Sequence, residues 1–180
     1  AGHDARRNIK NEVYSNMGKL FGTDGIRGVV NDGLDAILAY KVGLAAAVVL
    51  ADGKAEGERP LVTIGKDTRI SGDLLKGALI AGLCTAGADV LDLGTLPTPG
   101  VAWVTVDEMV LSDGENIPIK TGEHIGKVSY VADKASEDYI DHLESSIHED
   151  LHGLRILVDC ANGAAYATAG RLFDRFPKLM

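Results

Sequence analysis

The stretch from Leu61 to Leu93 admits few folds. Leu61-Val62-Thr63-Ile64 is short, apolar and β-branched, the composition of a strand covered on both faces. It leads through the polar loop Gly65 to Asp73 into apolar residues whose spacing predicts a helix from about Leu74 to Ala86, closed by Gly87. Ala88 to Leu93 then reads as a second strand. Ser71 is the expected N-cap of the helix, with Asp73 in its first turn complementing the dipole. Strand, loop, helix, strand is the βαβ unit: parallel neighbours joined by a right-handed crossover, with loops at the carboxyl ends of the strands where α/β proteins hold ligands. Asp67 and Arg69 sit at such an end. They either pair with each other and fix the loop or reach a ligand directly.

A second loop carries the clearer chemistry. In Phe21-Gly22-Thr23-Asp24-Gly25-Ile26-Arg27-Gly28, glycines at a spacing of three free the backbone for positive φ and for close approach to a ligand. Thr23 offers a hydroxyl, and Arg27 offers a planar fork of donors whose charge persists at neutral pH. Together they are suited to hold a phosphate. The plainer alternative is an Asp24-Gly25 turn with a solvent-facing arginine beside it.

Leu34, Ile37, Leu38, Val42, Ala45, Val48 and Val49 recur at helical spacing up to Asp52-Gly53. Leu96 to Gly100 opens another helix, with Thr98 as cap and Pro99 in the first helical position. From Asp107 to Glu123 turn residues without a sustained period predict a loop, and Val128 to Val131 predicts a strand. Asp133 is the expected cap of a helix whose apolar face is Ala135, Tyr139, Ile140, Leu143 and Ile147, ending near Gly153. Leu154 to Cys160 reads as a strongly buried strand, and Ala161 to Ala164 turns it into a helix that runs to about Phe176.

Composition narrows the partners. The net charge of −8 and the lack of a dense Lys/Arg run argue against a nucleic-acid surface, so an anion must be bound by a local site. The apolar runs are too interrupted or too short to be membrane spans. Cys84 and Cys160 each lie in an apolar run and read as buried, reduced thiols of a cytoplasmic protein. Residues 1–16 lack an apolar h-region and read as a leader outside the fold. His148-Glu149-Asp150-Leu151-His152 matches the H-E-x-x-H pattern of zinc hydrolases. Such a site needs the helix to continue and a further ligand downstream, whereas Gly153 ends it at once. A solvated helix end with incidental histidines is the expectation.

Taken together, FGTDGIRG (21–28), IGKDTRISGD (64–73), ALIAGLCTAGADVLDLGTLPTPGVAW (78–103) and LVDCANGAAY (157–166) resemble the α-D-phosphohexomutases, in the family's order. The resemblance implies a mixed, largely parallel sheet sandwiched by helices over residues 17–152, incomplete near 106–107, and the opening βα unit of a second, similar domain over 153–180. It implies an isomerase in which a phosphoserine, supported by Mg²⁺, exchanges its phosphoryl group with a bound sugar phosphate, interconverting here the 6- and 1-phosphates of glucosamine. Mannose or glucose phosphates are the alternatives within the family, and a non-catalytic sugar-phosphate binder the alternative outside it. Arg27 matches the family arginine near the phosphoserine; Thr23, Gly25, Asp67 and Arg69 complete the expected substrate contacts. The expected partners are a phosphorylated hexosamine and a second copy of the chain, with neither nucleic acid nor membrane.

The departures are equally informative. The family's Ser-His-Asn-Pro loop follows the segment that corresponds to Val101 to Val106, but here Val106 passes directly to Asp107 and the motif occurs nowhere in the chain. Ser71, Ser112 and Ser129 lie in other contexts, and the Asp-Gly-Asp-x-Asp metal loop is absent as well. The chain is therefore expected to lack the nucleophile and the Mg²⁺ ligands.

Overall fold

A computed structural model describes residues 25–51, 54–55, 57–109 and 121–176. Its centre is the βαβ unit. β3 (Leu61–Lys66) pairs in parallel with β4 (Asp89–Thr95), and β4 pairs in parallel with β5 (Val128–Tyr130), in the order β3-β4-β5. Two short strands precede it, β1 (Val29–Val30) and β2 (Gly33–Leu34), paired with each other around Asn31. The helices are α1 (Ala36–Leu50), α2 (Gly72–Thr85), α3 (Thr98–Met109), α4 (Ala132–Ser145) and α5 (Tyr166–Phe173).

Side-chain alternation splits the core into two layers, as the pleat requires. Ile64 and Val90, with Val62 packed beside them, face Ala47 of α1, Leu83 of α2 and Ala86 just after it. Leu93, with Leu91 beside it, faces Val104 of α3 and Ala135 and Tyr139 of α4. The sheet is thus covered on both faces, which is why these strands are apolar throughout. α1 and α2 meet at Gly43 and Gly82. A Cβ on Gly82 would lie 2.1 Å from the Tyr40 carbonyl oxygen, and one on Gly43 would lie 2.3 Å from that of Leu79. On the other layer Trp103 stacks on His142, with ring centroids 4.8 Å apart. Arg59 donates to Asp89 and to the Ile125 carbonyl, while Asp89 also accepts from the Lys127 N–H, tying the amino ends of the strands together.

Several expectations are corrected here. Ser71 precedes α2, but its backbone already has helical dihedrals (φ −73, ψ −14) and its side chain makes no cap bond. The helix therefore starts at Gly72 rather than Leu74, and Asp73 pairs with Lys66 at 2.7 Å. Asp133 lies inside the first turn of α4; Val131 occupies the cap position. α3 carries on to Met109 where a loop was expected from Asp107, and residues 110–120 lie outside the described region. α4 stops at Ser145 because the Ser145 and Ser146 hydroxyls donate to the carbonyls of His142 and Leu143, competing with the helix ladder. His148 to His152 is consequently non-helical and exposed at both histidines, and among the described residues no cluster of His, Cys, Asp or Glu could hold a metal. The one-turn helical spacing that the H-E-x-x-H pattern requires is therefore not formed at these residues.

The largest correction concerns 154–160. The segment has no regular secondary structure and joins no sheet among the described residues, and Leu157 is 98% exposed. Apolar character alone made it look buried; burial needs a partner strand, which neither layer supplies. Cys84 and Cys160 are only half-buried. α5 ends at Phe173, and Arg175 just beyond it bonds to Asp141, Glu144 and Glu137 of α4. Among the described residues no helix is long and apolar enough to cross a membrane.

Candidate phosphate-binding site

The site is built where β3 delivers its last residues. Asp67 follows β3 directly. Its carboxylate accepts the Arg69 N–H at 3.0 Å and the Arg69 Nε–H at 2.7 Å. The two alternatives for this pair are thereby partly joined: Asp67 fixes the loop, while Arg69 stays 82% exposed at its side chain. Its terminal nitrogens have no partner among the described residues. The backbone bond from Arg69, followed by its side-chain bond, lowers the Asp67 pKa below the ordinary aspartate value. Stability from a lowered carboxylate is present above its ordinary range and is lost as pH falls through the lowered value. The Arg69 Nε–H resonance is therefore expected to stay constant from neutral pH down to the usual carboxylate range and to shift only below it; a shift centred near pH 6 to 7 would contradict this pairing.

The loop is also tied to a distant turn. Thr68 donates its hydroxyl to the Asn162 carbonyl, across 94 residues of sequence. Ala161 and Asn162 have positive φ there (45 and 58), and Gly163 N–H closes the turn on the Cys160 carbonyl at 2.6 Å.

Gly25 and Arg27 belong to the loop that leads into β1. Gly25 takes φ +95, the left-handed conformation that glycine permits at least cost. Gly28 needs its missing Cβ, because one would meet the Leu34 side chain at 3.1 Å. Arg27 is exposed, and Thr23 with the rest of Phe21 to Asp24 lies outside the described residues. Ile26 and Lys66 line one cavity of about 350 Å³, walled by Leu38, Ile64, Leu75 and Leu79. The residue before Arg27 and the residue before Asp67 thus line the same cavity, beside the carboxyl end of β3.

The sequence reading passed over Lys66, Lys76 and Asp92. Lys76 donates to Asp92 at 2.6 Å, and Asp92, only 3% exposed, also accepts the Gly94 N–H at 2.9 Å. An aspartate inside Val90-Leu91-Asp92-Leu93 was the available signal, since a buried carboxylate demands a partner. The thiol of Cys84 is pushed up by burial and then by Asp89, so it stays protonated and is no nucleophile at neutral pH.

Both loops lie within a segment that matches a known family. Residues 18–114 match the family model for phosphoglucomutase/phosphomannomutase, alpha/beta/alpha domain I, and the chain belongs to that family. Proteins named phosphoglucosamine mutase are 40% identical in Desulforamulus reducens, 39% in Moorella thermoacetica and 41% in Syntrophomonas wolfei. Each alignment covers 88% of this chain and 44% of the relative, so the chain spans less than half the length of these relatives. The alignment to the Desulforamulus protein runs over 198 positions, longer than the 180-residue chain itself; that relative therefore carries residues with no counterpart here. The crystal structure of a phosphoglucomutase/phosphomannomutase family protein from Burkholderia thailandensis superposes with a TM-score of 0.62 at 23% identity, over 86% of this chain and 42% of that one. That likeness concerns the fold.

Proposed function

We propose that this chain is the phosphate-cradling first part of a phosphoglucosamine mutase, the isomerase that interconverts glucosamine 6-phosphate and glucosamine 1-phosphate. The observation that carries the reading is the cavity lined by both Ile26, next to Arg27, and Lys66, next to Asp67, in a chain whose relatives at 38–41% identity bear that name. Arg27 offers two parallel donors to a phosphate, and Asp67 holds Arg69 with its terminal nitrogens outward. Thr23 and Gly25 supply a hydroxyl and a backbone able to approach the ligand.

The Ser-His-Asn-Pro nucleophile is absent from the sequence, so on this reading the 180 residues bind the sugar phosphate without turning it over. Magnesium, when bound in a complete mutase, would stabilise the transferring phosphoryl charge. Among the described residues no cluster of His, Cys, Asp or Glu fits it. The setting would be the cytoplasm and the product a cell-wall precursor.

Titration of the full chain with glucosamine 6-phosphate, followed by amide NMR, tests this. Saturable shifts are expected at Gly25, Arg27 and Arg69. Arg27→Ala should weaken binding on the order of tenfold or more, the worth of a charge-assisted hydrogen bond, with the dispersion of the remaining spectrum intact. Mannose 6-phosphate binding more tightly would move the assignment to another activity of the family, and the absence of saturable binding would refute the cradle.

A further inference from the structure

We propose that Asn162 is a sugar-selecting residue of the candidate site: its side-chain amide hydrogen-bonds a polar substituent of the sugar ring, while the Arg27 and Asp67–Arg69 loops take the phosphate. This assignment rests on the phosphate-cradle reading above. The turn that carries Asn162 is held in an unfavourable shape. Ala161 and Asn162 have φ of 45 and 58, and among the described residues they are the one adjacent non-glycine pair in the left-handed region. That region is disfavoured for residues bearing a Cβ, although the short polar side chain of asparagine tolerates it. Three bonds hold the turn there. The Asp159 carboxylate accepts the Ala161 N–H at 2.8 Å, the Cys160 carbonyl accepts the Gly163 N–H at 2.6 Å, and the Asn162 carbonyl accepts the Thr68 hydroxyl. Strain that several contacts keep in place is characteristic of ligand-binding segments.

Position supplies the second argument. Thr68 lies between Asp67 and Arg69, so its bond sets the Asn162 backbone directly against the loop that presents Arg69. That bond uses the Asn162 main chain alone. Asn162 is exposed, and its carboxamide has no hydrogen-bond partner among the described residues. The chemistry then divides between neighbours. Arg69 offers charged donors that suit a phosphate whatever the phosphate is attached to. A carboxamide carries no charge and offers an acceptor together with two donors, which matches a hydroxyl or amine of a sugar. A neutral group of this kind beside a phosphate cradle reads the sugar rather than the anion.

Calorimetric titration of the full chain with inorganic phosphate and with glucosamine 6-phosphate tests this. Asn162→Gly deletes the carboxamide and keeps the left-handed backbone accessible. It should weaken glucosamine 6-phosphate binding about three- to tenfold, the range for one neutral hydrogen bond, and leave the affinity for inorganic phosphate unchanged. Thr68→Val removes the tie at nearly constant volume and should show the same selective loss, because it releases Asn162. The double variant should then be no weaker than Asn162→Gly alone. Unaltered glucosamine 6-phosphate binding in Asn162→Gly would overturn the assignment and leave the cradle standing. Equal weakening of both ligands would overturn it as well, since the turn would then merely shape the Arg69 loop. Fully additive losses in the double variant would show that Thr68 does not act through Asn162, and would also count against the assignment. If the wild type binds neither ligand, the cradle itself fails and Asn162 has no site to serve.

Discussion

Gly82→Ala should destabilise the chain by about 2–4 kcal/mol, although alanine is the better helix former. At an ordinary helical position the exchange gains up to about 1 kcal/mol, because glycine loses more backbone entropy on folding. At Gly82 the added methyl would sit 2.1 Å from the Tyr40 carbonyl oxygen and 2.9 Å from the Leu44 nitrogen. Both are backbone atoms of α1, so no side chain can swing aside; the whole helix must move, opening the layer that holds Ala47, Leu83 and Ala86. Gly77 lies in the same helix with nothing within 4 Å of its ideal Cβ and provides the internal control. Urea unfolding should show Gly77→Ala at or above wild-type stability and Gly82→Ala well below it. Equal behaviour of the two would mean that α1 and α2 do not cross backbone to backbone.

Lys76→Met should cost about 3 kcal/mol or more, because it leaves the Asp92 carboxylate buried without its counter-charge. Methionine preserves most of the aliphatic stem, so the loss is electrostatic rather than a cavity. Adding Asp92→Asn should recover a large part of it: the amide oxygen still accepts from the Gly94 N–H, and no charge remains to be paired. Urea midpoints of the two single variants and the double variant complete the cycle. Strict additivity would show that the 2.6 Å contact contributes nothing to folding.

What could be read in advance follows a physical line. β3, β4 and the crossover helix were legible because their apolar character is satisfied by the crossover helix and the helices that flank the unit: Val62 and Ile64 face α1 and α2, while Leu91 and Leu93 face α3 and α4. Leu154 to Cys160 has the same character, but its pairing depends on groups far from it in sequence, and composition does not state whether they are there. Capping failed for a related reason. Ser71 and Asp133 have suitable side chains, yet a cap is set by backbone dihedrals, and those came from where β3 and β5 release the chain. In the candidate site, Gly25, Arg27, Asp67 and Arg69 carry local signals of glycine spacing and charge beside a strand end. The Thr68 bond to Asn162 and the Lys76 bond to Asp92 are tertiary, and no local pattern announces either.

Trp103 is the chain's only tryptophan, and it lies against His142 at the junction of α3 and α4. Emission excited at the red edge of the absorption band, where tyrosine is silent, therefore reports on one side of the sheet and is blind to the other. Circular dichroism averages over both. If the two probes trace a single melting curve, the helical layers come apart as one cooperative unit; if emission changes at a different denaturant concentration, each layer has its own unfolding equilibrium. In Gly82→Ala the damage begins on the side the indole cannot see, so the spread between the two curves measures how firmly β3 and β4 mechanically couple one layer to the other.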